Sequence, residues 1–207
     1  MKKIKICGLT NIEDAQNAID LGADYLGFIF ADSPRKIEIE KVIDIIAKIS
    51  KKNAKIVGVF MNQNIEYIQD IDKICNFDII QLHGYEDIIK YKKKLKKPLI
   101  KRVCDIVELQ YIKNIADYLL FDKTKKSGRI LEFKEIQEYN ITQKYFIAGG
   151  LNENNIVESL KFAQTAYGID LSSGIEEKIG KKDYNKMQKV IEMVKKFEIN
   201  QYKNSIF

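Results

Sequence analysis

The chain has few of the residues that build disulfide frameworks and metal centres. Its single histidine is His83, and its three cysteines are Cys7, Cys75 and Cys104. The spacings of these cysteines fit neither a disulfide framework nor a zinc-binding pattern. We therefore expect a protein without disulfide bonds or a bound metal, suited to a reducing compartment such as the cytoplasm.

Long apolar runs and interdomain linkers are also missing. No apolar stretch approaches the length of a membrane span, and the first residues enter a strand-like run rather than a signal peptide. The chain has only two prolines, Pro34 and Pro98, and no Gly/Ser-rich segment. We expect no association with membranes and one domain over residues 1–207, with residues 198–207 as a frayed tail beyond the last helix.

Arginine is scarce although the chain is basic. The formal net charge is +6, from 35 Lys and Arg against 29 Asp and Glu, and the arginines are Arg35, Arg102 and Arg129. Nucleic-acid-binding proteins usually cluster Arg and Lys among aromatic residues or carry a known module. Here the lysines alternate with acidic residues along the helical segments, which favours a solvated surface over a polyanion-binding one. We therefore expect no nucleic-acid partner.

Short β-rich runs recur along the whole chain. Strands are predicted near residues 3–7, 24–30, 55–60, 78–82, 98–103, 117–121, 144–148 and 165–171. Both faces of these runs are apolar, which is typical of parallel strands buried on both sides. Helical spacing fills the intervals, and Asn11 and Gly22 are placed to cap the first helix. Eight strand–helix repeats predict an α/β protein, a single (β/α)8 TIM barrel with a parallel eight-stranded core.

Two glycine-rich loops follow the last two predicted strands. The first contains Gly149 and Gly150, and the second contains Ser172, Ser173 and Gly174. Glycines let backbone N–H groups approach phosphate oxygens, and serine hydroxyls can also donate. In such barrels a phosphate often binds at the loops after strands seven and eight. Turn geometry alone would also explain the glycines, but two such loops in succession favour a phosphate site.

Eight short motifs appear in order at the predicted strand ends. They occupy residues 5–10, 26–30, 33–35, 57–60, 81–84, 121–122, 148–152 and 170–174. In this order the motifs make the chain similar, over nearly its whole length, to the phosphoribosylanthranilate isomerase family. Each motif alone is modest evidence, whereas eight in register are highly specific.

The resemblance implies an Amadori rearrangement in tryptophan biosynthesis. N-(5-phosphoribosyl)anthranilate would become 1-(2-carboxyphenylamino)-1-deoxy-D-ribulose 5-phosphate, with Cys7 as general base and Asp122 as general acid. No cofactor is implied, because the iminium nitrogen of the substrate accepts the electrons. A lowered pKa would suit the thiol of Cys7 as a base. Burial among apolar neighbours would raise the pKa of Asp122, as an acid requires.

The resemblance also assigns binding residues for a phosphorylated small-molecule substrate. Arg35 would bind the anthranilate carboxylate, since a guanidinium can form two parallel hydrogen bonds with it. His83 is expected to line or support the site. Asp170 is expected to bind a ribose hydroxyl, with a structural role in the sheet as the alternative. Cys75 and Cys104 are expected to be buried filler. The protein would be a monomer or a homodimer.

The segment after the sixth predicted strand departs from the family pattern. Residues 122–129 form a shorter loop with one glycine, so a lid over the substrate would be less mobile. The cations of this loop, Lys125, Lys126 and Arg129, would instead attract an anionic substrate. Arg102 stands where the family commonly has a small residue, and the sequence suggests no reason for it.

Three other functions are alternatives to this interpretation. A ribulose-phosphate epimerase would need paired aspartates and metal-binding histidines, which a single histidine does not supply. An indoleglycerol-phosphate synthase would need a Lys/Glu set at the strand ends in place of Cys7. A non-catalytic barrel that kept its phosphate loops but lost turnover remains open on the sequence, and activity would separate it from the isomerase.

Overall fold

Eight parallel strands close into a barrel in the computed structural model, which describes residues 1–103, 105–122, 136, 139 and 141–204. Each strand pairs with the next along the chain, and β8 pairs with β1. This arrangement confirms the predicted TIM barrel. The strands are β1 Lys3–Cys7, β2 Tyr25–Ile29, β3 Lys55–Phe60, β4 Ile79–Leu82, β5 Leu99–Val103, β6 Tyr118–Asp122, β7 Tyr145–Ala148 and β8 Gly168–Leu171.

Helices surround the barrel and cover its outer face. In the part of the chain that the structure describes they are α1 Ile12–Leu21, α2 Ile39–Lys48, α3 Ile65–Cys75, α4 Ile88–Lys94, α5 Ile106–Ile112, α6 Ile156–Phe162 and α7 Tyr184–Asn204. After β8 come a 3-10 turn, Ser173–Ile175, and a small hairpin of β9 Glu176–Lys178 and β10 Lys181–Lys182. Within the described residues, none of the helices is both long enough and apolar enough to cross a membrane.

The helix caps predicted from the sequence are present on α1. The Asn11 side chain accepts a hydrogen bond from the Asp14 N–H at 2.8 Å, and Gly22 ends the helix in the left-handed conformation with φ of 97°.

At the other end of the chain, α7 continues to Asn204. The prediction that the last helix ends near residue 198 was therefore wrong, because the helical backbone hydrogen bonding persists beyond it. Cys104 and the loop at 123–129 lie outside the described residues.

Aromatic rings fill the barrel interior at the amino-terminal ends of the strands. Tyr25 and Phe146 meet edge to face with ring centroids 5.4 Å apart, and the hydroxyls of Tyr25 and Tyr167 lie 3.1 Å apart. Tyr118 packs against the rings of Phe146 and Tyr167. Because large side chains occupy this end, open space is left at the opposite end, where the strands have their carboxyl termini.

Three lysines are buried, contrary to the expectation that the lysines form a solvated surface. Lys5 and Lys101 have fully buried side chains, and Lys182 is almost as inaccessible. Each lies within 3.0 Å of a carboxylate oxygen, from Asp170, Glu108 and Glu176 respectively. Pairing of this kind is what makes a buried ammonium tolerable.

Candidate active site

A cavity of about 200 Å³ opens at the carboxyl ends of the barrel strands. It brings together nine of the residues singled out in the sequence: Cys7, Arg35, His83, Asp122, Gly149, Gly150, Asp170, Ser172 and Ser173. The lining also contains apolar side chains, among them Ile29 and Val59, and the polar residues Asp32 and Gln81. A concave, largely apolar site with a few convergent polar groups is typical of a small-molecule pocket.

Cys7 is the last residue of β1 and lies in the wall of this cavity. The chain turns sharply after it at Gly8, which has φ of +73°. A Cβ at Gly8 would lie only 2.8 Å from Cδ of Arg35, so glycine here serves both the turn and the close packing. Burial raises the pKa of Cys7, and the Lys5 ammonium offsets part of this effect. The lowered pKa that would suit a base is therefore not found, because desolvation outweighs the nearby positive charge.

Asp122 ends β6 across the cavity and lies beside His83. Nε2 of His83 is 3.4 Å from Oδ2 of Asp122, whose side chain is 11% exposed. Nδ1 of the same imidazole lies 3.1 Å from Nε2 of Gln81, on β4. The three side chains thus form a continuous polar row, in which Gln81 fixes the plane of the imidazole and the imidazole faces the carboxyl group.

Arg35 projects from the loop after β2 and is held by Glu176, the first residue of β9. Nε and Nη2 of the guanidinium donate to the two carboxylate oxygens at 2.7 and 2.6 Å. Lys182 donates to the same carboxylate at 3.0 Å. Burial alone would raise the pKa of Glu176, but Arg35 and Lys182 outweigh it and lower the pKa. Glu176 therefore keeps its charge and fixes one edge of the guanidinium.

Asp170 lies on β8, opposite Lys5 on β1 in the sheet register. Oδ2 accepts a hydrogen bond from Nζ of Lys5 at 2.8 Å. Oδ1 is buried and has no hydrogen-bond partner within the described part of the chain. Burial raises the pKa of Asp170, and Lys5 counteracts part of that rise. A buried acceptor without a partner is costly, and Asp170 is also one of the residues that line the cavity.

The two glycine-rich loops meet at one side of the cavity. Gly149 and Gly150 both have positive φ, 100° and 65°, so they expose a tight turn of backbone beside the pocket. Ser172 and Ser173 line the same region, at the start of the 3-10 turn. Gly174 lies behind them, where any Cβ would overlap the carbonyl oxygen of Leu151. The second loop can therefore pack directly against the first.

The remaining cysteine and arginine among the described residues lie apart from this chemistry. Cys75 is buried at the end of α3, and burial raises its pKa to about 11, in agreement with a filler role. Arg102 is buried on β5, and the structure explains no functional role for it. Among the described residues, no group of three or more His, Cys, Asp and Glu side chains is arranged to hold a metal ion.

Sequence reasoning missed three residues that shape the site: Lys5, Gln81 and Glu176. Successive side chains of a strand alternate between its two faces, so Lys5 lies on the same side as Cys7. This alternation is a sequence signal that could have identified Lys5. Gln81 precedes His83 by two residues, so the same alternation places both on one side of the chain. No local pattern identifies Glu176, because its contact with Arg35 joins positions 141 residues apart in the chain.

Comparisons with known proteins point to one family. Residues 4–193 match the profile described as N-(5'-phosphoribosyl)anthranilate (PRA) isomerase. The chain is 36% identical over 208 residues to the N-(5'-phosphoribosyl)anthranilate isomerase of Petrotoga mobilis, covering 96% of this chain and all of that one. It is 37% identical over 199 residues to a Streptococcus pneumoniae protein of the same name, covering 94% of this chain and 96% of that one.

A solved structure with the same architecture is that of a phosphoribosyl anthranilate isomerase in complex with reduced 1-(o-carboxyphenylamino)-1-deoxyribulose 5-phosphate. The TM-score is 0.82 at 30% identity, and the alignment covers 94% of this chain and 99% of that one.

Proposed function

Because the chain belongs to the N-(5'-phosphoribosyl)anthranilate isomerase family, we propose that it catalyses the Amadori rearrangement of N-(5-phosphoribosyl)anthranilate in tryptophan biosynthesis. The observation that carries this proposal is a cavity that joins a thiol, a carboxyl group, a fixed guanidinium and two glycine-rich loops. Each of these groups matches one part of the substrate: the C2′ proton, the ring oxygen, the carboxylate and the phosphate.

Asp122 acts as the general acid. Its carboxyl group donates a proton to the furanose ring oxygen, the bond from C1′ to that oxygen breaks, and the nitrogen lone pair forms the iminium. The imidazole of His83, 3.4 Å away, orients the carboxyl group. Positioned proton transfer of this kind contributes about 10²–10⁴-fold to a rate.

Cys7 acts as the general base. Its thiolate removes the C2′ proton, and the electrons of that C–H bond form the C1′–C2′ double bond while the iminium nitrogen becomes neutral. The resulting enolamine tautomerises to the ketone. Cys7 ends β1 and Asp122 ends β6, so the two groups approach the substrate from separate walls of the barrel. No metal or organic cofactor takes part in this scheme.

Arg35 binds the anthranilate carboxylate through the edge that Glu176 leaves available. Glu176 occupies Nε and one proton of Nη2, which leaves the Nη1/Nη2 end for a second carboxylate. The related isomerase of known structure binds a ligand named as a carboxyphenylamino deoxyribulose phosphate, which carries such a carboxylate. The rigid pairing with Glu176 aligns the guanidinium before the ligand arrives.

We expect Arg35→Lys to raise KM for phosphoribosylanthranilate by roughly tenfold or more, because an ammonium cannot form the paired hydrogen bonds that are worth about 1.5–3 kcal/mol to a charged group. Binding of inorganic phosphate should be unchanged, as measured by calorimetry. If the binding of both ligands were weakened equally, Arg35 would be a phosphate contact or a support for its loop. Glu176→Gln keeps the arginine but weakens the contact that holds it, so it weakens phosphate binding only if the position of Arg35 supports the loop.

The phosphate binds the two loops after β7 and β8. A crystal soaked in inorganic phosphate should show the anion against the backbone around Gly150 and Ser173, where glycine backbone and a serine hydroxyl border the cavity. An anion held only by surface lysines, with these loops vacant at saturating phosphate, would contradict the assignment. Asp170, which lines the cavity, completes the binding set by accepting a hydrogen bond from a ribose hydroxyl.

Rescue of a tryptophan auxotroph that lacks the isomerase tests the proposed function in a cell. The wild-type chain should restore growth without tryptophan, and the variant carrying both Cys7→Ser and Asp122→Asn should not. Cys75→Ser is the matched control, since it removes a buried thiol outside the cavity. Failure of the wild-type chain to support growth, at normal expression, would favour the non-catalytic barrel.

A further inference from the structure

A fully buried lysine lies inside the barrel, two residues before Cys7. Successive side chains of a strand point to opposite faces, so Lys5 and Cys7 face the same interior. The side chain of Lys5 has no exposed surface, and its Nζ lies 2.8 Å from Oδ2 of Asp170. A lysine is seldom buried without a partner, and here the strand register itself sets Asp170 opposite it.

The ammonium of Lys5 and the thiol of Cys7 border the same small space. Cys7 is paired in register with Gly27 on β2. A Cβ placed on Gly27 would lie 2.8 Å from Sγ of Cys7 and 3.2 Å from Nζ of Lys5. The missing side chain at Gly27 therefore leaves the space in which the two groups approach each other.

We propose that Lys5 is a positioning residue whose ammonium favours the thiolate form of Cys7 against the effect of burial, while Asp170 fixes the Lys5 ammonium in place. The inference rests on the proposed function in that Cys7 is the base. Its physical content, the electrostatic coupling between Lys5 and Cys7, is measurable whether or not the protein turns over substrate.

Among the charges around Cys7, the Lys5 ammonium is the one that most opposes the effect of burial on the thiol pKa. Burial raises the pKa of Cys7, Lys5 lowers it by attraction to the thiolate, and the carboxylate of Asp170 raises it again. Burial alone would lower the pKa of Lys5, but Asp170 and Cys7 raise it overall, so the ammonium keeps its proton. The other charged or titratable groups near this cluster are Lys182, Arg35, His83 and Asp122.

Titration of the Cys7 thiol tests the proposal. Thiolate absorbance is followed against pH, with Cys7→Ser as the blank, and the rate of alkylation by iodoacetamide is read by mass spectrometry with Cys75 as an internal reference. In Lys5→Gln the charge is lost but the amide can still donate to Asp170. We expect the Cys7 midpoint to move up by about one to three pH units, the usual effect of an adjacent opposite charge.

The kinetic consequence should follow the thiolate. In Lys5→Gln, kcat/KM near neutral pH should fall by about tenfold or more, in step with the loss of thiolate. Lys5→Arg, which keeps the charge, should restore part of both the midpoint and the rate. A folded Lys5→Gln with an unchanged Cys7 midpoint would reduce Lys5 to a structural partner of Asp170 and overturn the proposal. Thermal unfolding of each variant shows whether the barrel is intact.

A measurement on the unaltered lysine covers the case in which neither variant folds. Since coupling between two sites is reciprocal, ionisation of Cys7 must shift the Nζ resonance of Lys5 in the nitrogen NMR spectrum of the wild-type protein. The shift should vanish in Cys7→Ser. Its absence from the wild type would contradict the proposal. If the protein showed this coupling but had no isomerase activity, the interaction between Lys5 and Cys7 would be confirmed and the proposed function would be refuted.

Discussion

Replacing Cys7 by serine is expected to lower kcat by at least about 10²-fold, the lower range for loss of a positioned general base. A serine hydroxyl has nearly the same shape as the thiol but ionises far less readily, so the C2′ proton loses its acceptor. KM should change little, because the phosphate loops and Arg35 lie elsewhere in the cavity. The measurement is steady-state turnover of freshly prepared phosphoribosylanthranilate.

The matched control for this change is Cys75→Ser. Cys75 is also buried, but it lies at the end of α3, away from the barrel interior. Its replacement should cost some stability through burial of a hydroxyl and leave kcat near the wild-type value. Near wild-type turnover in Cys7→Ser would exclude the thiol as the base.

Asp122→Asn is expected to reduce kcat by a similar factor, at least about 10²-fold, because an amide cannot protonate the ring oxygen. The residual activity should also acquire a simple pH dependence. With the acid removed, the thiolate of Cys7 alone limits the rate. Since burial raises the pKa of Cys7, the thiolate is a minor form at neutral pH and increases about tenfold with each pH unit. Residual kcat/KM should rise with pH accordingly.

Two further variants make this prediction specific. Asp44→Asn alters a carboxylate that pairs with Lys48 on the exposed face of α2 and should have no effect on turnover. The variant with both Asp122→Asn and Cys7→Ser should lose the dependence on pH that Asp122→Asn retains. If Asp122→Asn kept wild-type turnover, another group would have to protonate the ring oxygen.

The barrel was predictable because its signals are local. Runs such as 56–60, apolar on both faces, indicate parallel strands, and eight repeats at regular spacing leave few alternatives to a closed barrel. That the candidate site residues lie together at one end of the barrel was predictable for the same reason. Cys7 and Asp122 end their strands, the loops around Gly150 and Ser173 follow theirs directly, and parallel strands bring their carboxyl ends to one face.

Interactions that depend on distant pairing could not be read from the sequence. Surface-like composition predicted solvated lysines, yet Lys5 and Lys182 are buried beside carboxylates from other parts of the chain. A lowered pKa would suit Cys7 as a base, whereas the degree of burial, a property of the whole barrel, raises it. The anchoring of Arg35 by Glu176 depends on the hairpin after β8, whose position no local pattern specifies.

Turnover of N-(5-phosphoribosyl)anthranilate by the purified wild-type chain tests the proposed activity most directly. The substrate is prepared immediately before use, and the carboxyphenylamino deoxyribulose phosphate is identified by chromatography and mass spectrometry. We predict stoichiometric conversion without added metal or cofactor. Its rate should be at least about 10²-fold lower in Cys7→Ser and unaffected in Cys75→Ser. A folded protein that binds inorganic phosphate at the loops after β7 and β8 but forms no product would contradict the assignment.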